Sequence, residues 1–300
     1  MSVLSLQDLK FWETHGYVVI RQAVPVANCE AAAEAVWQHL DMNAKDPESW
    51  YPHPPRRNIM VEIYQHQALW NNRQLPKVHD AFAQIWGTRR LWVSLDRASM
   101  NPPLRDTYHY EGPFLHWDLD LTKPWPFGVQ GVLYLTDTAA NQGAFACIPG
   151  FHHKLQTWLK RLPADVDPRQ AVRDAYAQQA VFVEGQAGDL IVWHSELPHG
   201  SSENTSNRPR IAQYISMSPA RDDLDRLRQE RIQAWQERLT GLGQNQPDQE
   251  HHQGKTARLT PLGQKLLGLD RWEGEPPGDT APGELTDLER QMLGGSQPAQ

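Results

Sequence analysis

The sequence predicts a mainly β protein: a jelly-roll-like core with flanking helices, extended at its C-terminus by further helices. Three observations carry this expectation. From about residue 90, short β-rich runs at 91–95, 114–117, 129–136, 145–148, 181–183, 190–193 and 211–216 alternate with turns rich in Gly, Pro and Asp, the spacing of a sandwich or barrel. The first 90 residues show helical periodicity instead, and one helical insertion at 168–178 interrupts the strands. The last 80 residues leave the β pattern altogether.

Each element has a local reason. Ser5 followed by Asp8 makes a capping-box-like start; Leu6, Leu9 and Trp12 supply an apolar face, and Gly16 ends the helix. Residues 17–20, Tyr-Val-Val-Ile, read as a short buried strand. After Pro25 an alanine-rich helix spans 27–40 with Ala31, Ala35 and Trp37 among its apolar positions, 46–58 is loop, and a third helix covers 75–86. Near the C-terminus, 221–239 is a charged amphipathic helix carrying Leu224, Leu227, Ile232, Trp235 and Leu239. A Gln/Gly/His-rich linker covers 241–254, and Thr260-Pro261 forms an N-cap and N1 pair for a helix through Leu267. The domain division expected is therefore 1–220 for the β core with its N-terminal helices, 221–275 for a helical extension, and 276–300 for a mobile tail with one isolated helical pattern at 284–293.

Composition narrows the function classes. The 300 residues carry 29 Lys+Arg against 36 Asp+Glu, a net charge of −7, without the basic footprint that a phosphate backbone demands, so no nucleic acid is expected as partner. No apolar run is long enough to span a membrane. The N-terminus shows no basic region followed by an apolar core, and the two cysteines, Cys29 and Cys147, form neither a disulfide framework nor a thiolate site; the compartment expected is cytoplasmic and reducing. The 12 tryptophans fit either a large aromatic core or a pocket lined with indoles.

The chemistry concentrates in two segments. In Phe114-Leu-His116-Trp-Asp118, a strand would turn His116 and Asp118 to one side and Trp117 to the other. About 80 residues on, the run from Gly188 ends in His199-Gly-Ser-Ser, which offers a third ligand. Two histidines and a carboxylate on one face form the facial triad of non-haem Fe(II) oxygenases, although Zn²⁺ accepts the same ligands. Eleven residues after His199, Arg210 opens a strand whose alternation sets Arg210, Ala212, Tyr214 and Ser216 on one face. A polar face inside a barrel calls for a ligand, and a guanidinium there can grip a carboxylate such as that of 2-oxoglutarate.

Four segments together resemble the phytanoyl-CoA dioxygenase family of Fe(II)- and 2-oxoglutarate-dependent oxygenases: Phe11-Trp-Glu-Thr-His-Gly-Tyr-Val-Val-Ile20, His116-Trp-Asp118, the stretch from Asn141 to Lys154 with its Ile-Pro-Gly, and His199-Gly-Ser-Ser with Arg210. The likeness covers roughly residues 5 to 218 and implies a double-stranded β-helix (jelly-roll, cupin-like) core. It implies iron ligands His116, Asp118 and His199, with Arg210 and Ser201 on the distal carboxylate of 2-oxoglutarate and Tyr134 close to that co-substrate. His194, the rival to His199, lacks the following Gly-Ser and the arginine spacing. Phe151-His-His stands where the family has Ser-His. Asp118 is retained where halogenating relatives lack the carboxylate, which favours hydroxylation of an unactivated C–H in a small organic substrate, consuming O₂ and 2-oxoglutarate and releasing succinate and CO₂. Tyr108, His109, Tyr110, Trp117 and Trp125 are candidate pocket residues, and Arg56, Arg57, Arg97 and Arg105 are candidates for an anionic substrate group. The alternatives are a Zn-dependent hydrolase and a non-catalytic, cupin-like metal- or metabolite-binding protein; residues 221–300 could serve self-association or a partner.

Overall fold

The computed structural model describes residues 2–52, 58–109, 115–239 and 254–273. The chain opens with helix α1 (Leu6–His15), strand β1 (Tyr17–Ile20) and helix α2 (Val26–Leu40). The Ser5–Asp8 capping box forms in both directions, and Gly16 closes α1 in the left-handed conformation. A 3₁₀ turn at Pro47–Trp50, capped by Asp46, lies within the expected loop. Next come β2 (Met60–Val61), α3 (Gln67–Arg73), α4 (Pro76–Trp86), β3 (Leu91–Val93) and β4 (Ala98–Asn101). The remaining strands are β5 (Val129–Tyr134), β6 (Phe145–Cys147), β7 (Val181–Val183), β8 (Leu190–His194), β9 (His199–Ser201), β10 (Arg210–Tyr214) and β11 (Met217–Pro219). Helices α5 (Leu155–Leu159) and α6 (Pro168–Tyr176) lie between β6 and β7, and α7 (Asp225–Gln236) and α8 (Pro261–Leu267) follow β11.

The strands form three antiparallel sheets: a six-stranded sheet in the order β1-β8-β5-β10-β4-β2, a three-stranded sheet β7-β6-β9, and the pair β11-β3. Alternation along the large sheet divides the core in two. Val129, Leu133, Leu190, Val192 and Ile211 pack with Leu69, Val78 and Phe82 from α3 and α4 and with residues of α2. Val132, Tyr134, Ile191, Trp193 and Ala212 point the other way and pack with Phe145, Cys147 and Val183 of the small sheet. The space between the two sheets is thus the barrel interior, and the helices cover the opposite face of the large sheet. All twelve tryptophans are buried or half-buried, with Trp70, Trp92 and Trp117 fully so, and they line cores as aromatics usually do.

The C-terminal helices share the helix-side core. Ala234, Leu239, Ala257, Leu266 and Leu267 belong to the same cluster as α2 to α4. The fully buried Arg231 lies over the Trp92 ring and donates to the carbonyls of Val93, Leu266 and Leu267. Trp272 stacks on His79 and donates to Leu91 O.

Two expectations need correction. The run 211–216 is not one strand: β10 ends at Tyr214 and the chain crosses at 215–216 to pair β11 with β3. Ser94 and Ser216 mark the crossing, where Ser94 N donates to Ser216 O and Ser216 N to the Ser94 hydroxyl. The segment around His116 is not a strand either; residue 114 lies outside the described residues, and His116 makes a single antiparallel bridge, to His199. A ladder cannot continue because two guanidiniums occupy its carbonyls: Arg173 Nε donates to Leu115 O and Arg169 Nη2 to Trp117 O, both at 3.1 Å. The linker up to 253, the helical pattern at 284–293 and the tail 276–300 lie outside the described residues.

Candidate metal centre

His199 stands at the start of β9, paired with Cys147 of β6, and Ser201 is paired with Phe145. Paired residues share a face, so His199 and Ser201 look into the interior with Phe145 and Cys147 while Gly200 turns away. The His116–His199 bridge, with backbone bonds of 2.8 and 2.9 Å, brings the His-x-Asp segment onto the other edge of β9. The ligand atoms of His116, Asp118 and His199 all lie within 4.8 Å of one another. His116 Nε2 is 3.5 Å from Asp118 Oδ1 and His199 Nε2 is 3.3 Å from Asp118 Oδ2. Trp117 points away and is fully buried, its indole N–H on Glu196 O.

Neighbours orient these groups. His199 Nδ1 lies 3.0 Å from Leu197 O, so that nitrogen donates and Nε2 is left with its lone pair toward the cluster. Gln130 of β5 donates to Asp118 Oδ2 at 2.6 Å. Burial opposes the charge on Asp118, but protonated imidazoles at His116 and His199 outweigh it and hold the carboxyl well below its usual range, a place that a metal cation takes when both rings are neutral. Two imidazole nitrogens and one carboxylate oxygen, arranged around a common point with the imidazole tautomer of His199 already set, fit a divalent metal and leave coordination positions open on the interior side.

Arg210 faces the same interior. It is 3% exposed; its Nε donates to Gly143 O at 2.9 Å and its Nη1 to the Ser99 hydroxyl at 2.8 Å. Among the described residues no carboxylate comes within ion-pairing distance of it. Beside it, Asn101 is fully buried and neither its amide nitrogen nor its amide oxygen has a partner. Gly143 (φ 69°) makes this packing possible, since a Cβ there would lie 2.4 Å from the Asn101 amide nitrogen. Tyr134 reaches the interior too, but its hydroxyl donates to Val183 O and accepts from Phe145 N, and burial raises its pKa.

The other candidates scatter. His194 lies away from the triad, near Trp12, Phe127 and His152, its Nδ1 accepting from Glu196 N. Arg97 is held by Glu62 and the Tyr64 hydroxyl, and Arg105 by Glu48 over the Tyr51 ring. Tyr108 packs edge-on against Tyr51, and Trp125 donates to Glu196. Tyr110, Arg56 and Arg57 lie outside the described residues. Sequence reasoning missed Gln130, Ser99 and Asn101. Gln130 is the one strongly polar side chain within the apolar run 129–135, a signal that was available; Ser99 and Asn101 become visible only through the β4–β10 register, which pairs Asn101 with Arg210.

Comparison with known proteins agrees with this geometry. The phytanoyl-CoA dioxygenase family profile matches residues 12–212. The chain belongs to the phytanoyl-CoA dioxygenase family. Its members are non-haem iron, 2-oxoglutarate-dependent dioxygenases, and iron and 2-oxoglutarate are accordingly its cofactor and co-substrate. A putative phytanoyl-CoA dioxygenase of Dictyostelium discoideum is 23% identical over 264 residues, covering 70% of this chain and 74% of that protein. Among solved structures, a hypothetical protein of Escherichia coli shares the fold with TM-score 0.63 and 16% identity, over 89% of this chain and 82% of its own. The epimerase SnoN, solved with Fe³⁺, α-ketoglutarate and nogalamycin RO, is similar with TM-score 0.53 and 15% identity, over 71% and 83%. No helix among the described residues is long and apolar enough to cross a membrane.

Proposed function

We propose that this phytanoyl-CoA dioxygenase family member hydroxylates an unactivated C–H bond of a small organic substrate, with iron held by His116, Asp118 and His199. The observation that carries the reading is Arg210: a buried guanidinium with no counter-charge among the described residues, facing the same interior as the triad. A buried cation left unpaired is costly, and the distal carboxylate of 2-oxoglutarate supplies the missing anion. When bound, iron and 2-oxoglutarate supply the oxidising power, with loss of CO₂ and formation of succinate.

The chain's own part is positioning. Gly143 O and Ser99 fix two edges of the Arg210 guanidinium, so it is oriented before the co-substrate arrives. Ser201 lies on the same interior face as His199 and adds a hydroxyl for the same carboxylate. Asn101 offers a free amide donor and acceptor on that wall. Tyr134 contributes its ring to the co-substrate cavity, while its hydroxyl ties β5 to β6 and β7. Gln130 keeps Asp118 from rotating off the metal.

The outcome of oxidation is tested with ¹⁸O₂. Candidate compounds are screened for stimulated succinate release, and the product of any that responds is weighed. One ¹⁸O atom in the product is the expected result. A product that has lost two hydrogens without gaining oxygen, or an epimer, would overturn hydroxylation and leave the family assignment intact.

A further inference from the structure

Strand β8 sets an indole against the metal ligands that the reading above does not use. Ile191 and Trp193 of β8 face the barrel interior. The register places Trp193 between Tyr17 of β1 and Gln130 of β5, and Gln130 donates to Asp118. The Trp193 ring centre lies 5.0 Å from that of the His199 imidazole and 4.5 Å from that of Phe145. A metal on His199 Nε2 sits about 3 Å from the imidazole centre, which brings the indole centre within about 8 Å of it. Trp193 is 3% exposed, and its N–H has no hydrogen-bond partner among the described residues. Packing against His199 and Phe145 is what holds the ring.

Other oxidisable groups near the ligands are placed less well. Trp117 stands between two ligands in sequence but turns away to pack on Phe151 and Trp158, its N–H on Glu196 O. Trp125 is tied to the Glu196 carboxylate at 2.7 Å. Tyr17 lies one strand further out, at the edge of the large sheet. The Phe145 ring centre is 6.3 Å from that of His199, and a phenyl ring is poorer in electrons than an indole. Cys147 pairs with His199 across β6 and β9, but burial pushes its thiol up and keeps it protonated, whereas the thiolate is the form that oxidises readily.

An oxidising centre that turns over with no substrate bound spends its oxidising power on what surrounds it. We propose that Trp193 is a self-modification site: in the absence of substrate the chain hydroxylates the indole ring of its own Trp193. This rests on the iron and 2-oxoglutarate reading above and needs no other reactant. One ring C–H becomes C–OH with one atom of O₂, and the other oxygen atom enters succinate as 2-oxoglutarate loses CO₂. The indole and 2-oxoglutarate each give up two electrons, and O₂ takes up the four. The displaced ring hydrogen is balanced by the hydrogen of the new hydroxyl.

The test reads the protein itself. Full-length chain is loaded anaerobically with Fe(II) and 2-oxoglutarate, the visible charge-transfer band of the chelated keto acid is recorded, and ¹⁸O₂ is admitted with no substrate present. The chain is then digested, and the peptide containing Trp193 is fragmented in a mass spectrometer to place any label. One ¹⁸O atom on the Trp193 ring is the expected result, lost when 2-oxoglutarate is left out and lost in His199→Ala. A protein that shows the band but leaves Trp193 unlabelled, or carries the label on another residue in its place, overturns the proposal while the iron reading stands. Label on Trp193 that persists without 2-oxoglutarate or in His199→Ala also overturns it, because iron in free solution is then the oxidant. A protein with no band fails the iron reading itself, and the proposal falls with it.

Discussion

Asn101 is the side chain on which the co-substrate reading can be separated most cleanly from mere packing. Its amide is fully buried with donor and acceptor both unmet, which costs about 1–3 kcal/mol in a folded protein. Asn101→Leu, of similar volume, removes that penalty. The melting temperature of the ligand-free protein is expected to rise, while 2-oxoglutarate binds about tenfold more weakly through loss of one or two hydrogen bonds to a charged group. A calorimetric titration beside a thermal melt checks both. A variant that melts higher and binds 2-oxoglutarate as well as wild type would show that the amide serves no ligand at that end of the barrel. Arg210 differs in kind: its two hydrogen bonds go to a carbonyl and a hydroxyl, and among the described residues no carboxylate answers its charge.

At the level of elements, the His-x-Asp segment is held less by a sheet than by α6. Arg169 and Arg173 clamp the carbonyls of Trp117 and Leu115 on either side of His116, and a ligand loop fixed in this way keeps its geometry without a ladder. The double variant Arg169→Met/Arg173→Met is expected to weaken Fe(II) binding about tenfold with little change in melting temperature; a large fall in melting temperature with unchanged metal affinity would make the clamp purely structural. The same segment shows where sequence reading stopped. Strands such as β5 and β8, buried on both faces, announce themselves as apolar runs. β4, Ala-Ser-Met-Asn, and β9, His-Gly-Ser, do not, because their interior-facing side chains are polar and line the site. The triad was legible because its residue types and spacing are chemically restrictive. Asn101 was not, because its role depends on strand register, and Gln130 stood out only as a polar residue in an apolar run, its partner lying twelve residues away in sequence. The i, i+2 argument still placed His116 and Asp118 together with Trp117 opposite, since a locally extended chain alternates even without a partner strand.

Over the whole molecule, α1, β1, β8 and the turn after β6 meet in a group of histidines apart from the His116–Asp118–His199 cluster. His152 and His194 are both pushed down to about 4, by burial first and then by neighbouring histidines. Their contacts require the neutral form: His194 Nδ1 accepts from Glu196 N, and His152 Nδ1 is buried without a partner. The unfolded chain takes up these protons near the ordinary value of 6.5, whereas the folded one refuses them until about 4. Stability is therefore full above that ordinary value and falls as pH drops toward 4. Glu196, raised by burial, works in the opposite sense but is one group against two. The melting temperature is expected to decline across this window and to decline less in His194→Gln; a flat profile in the wild type would show that these histidines are solvated. The central claim, that this fold holds iron and 2-oxoglutarate between its two sheets, is tested most directly by adding Fe(II) and 2-oxoglutarate anaerobically to metal-free protein and recording the charge-transfer band of the chelated keto acid. The account predicts a band in wild type that is lost in His199→Ala and, in Arg210→Ala, needs about 10- to 100-fold more 2-oxoglutarate. No band in wild type, with tight Zn²⁺ binding in its place, would contradict it.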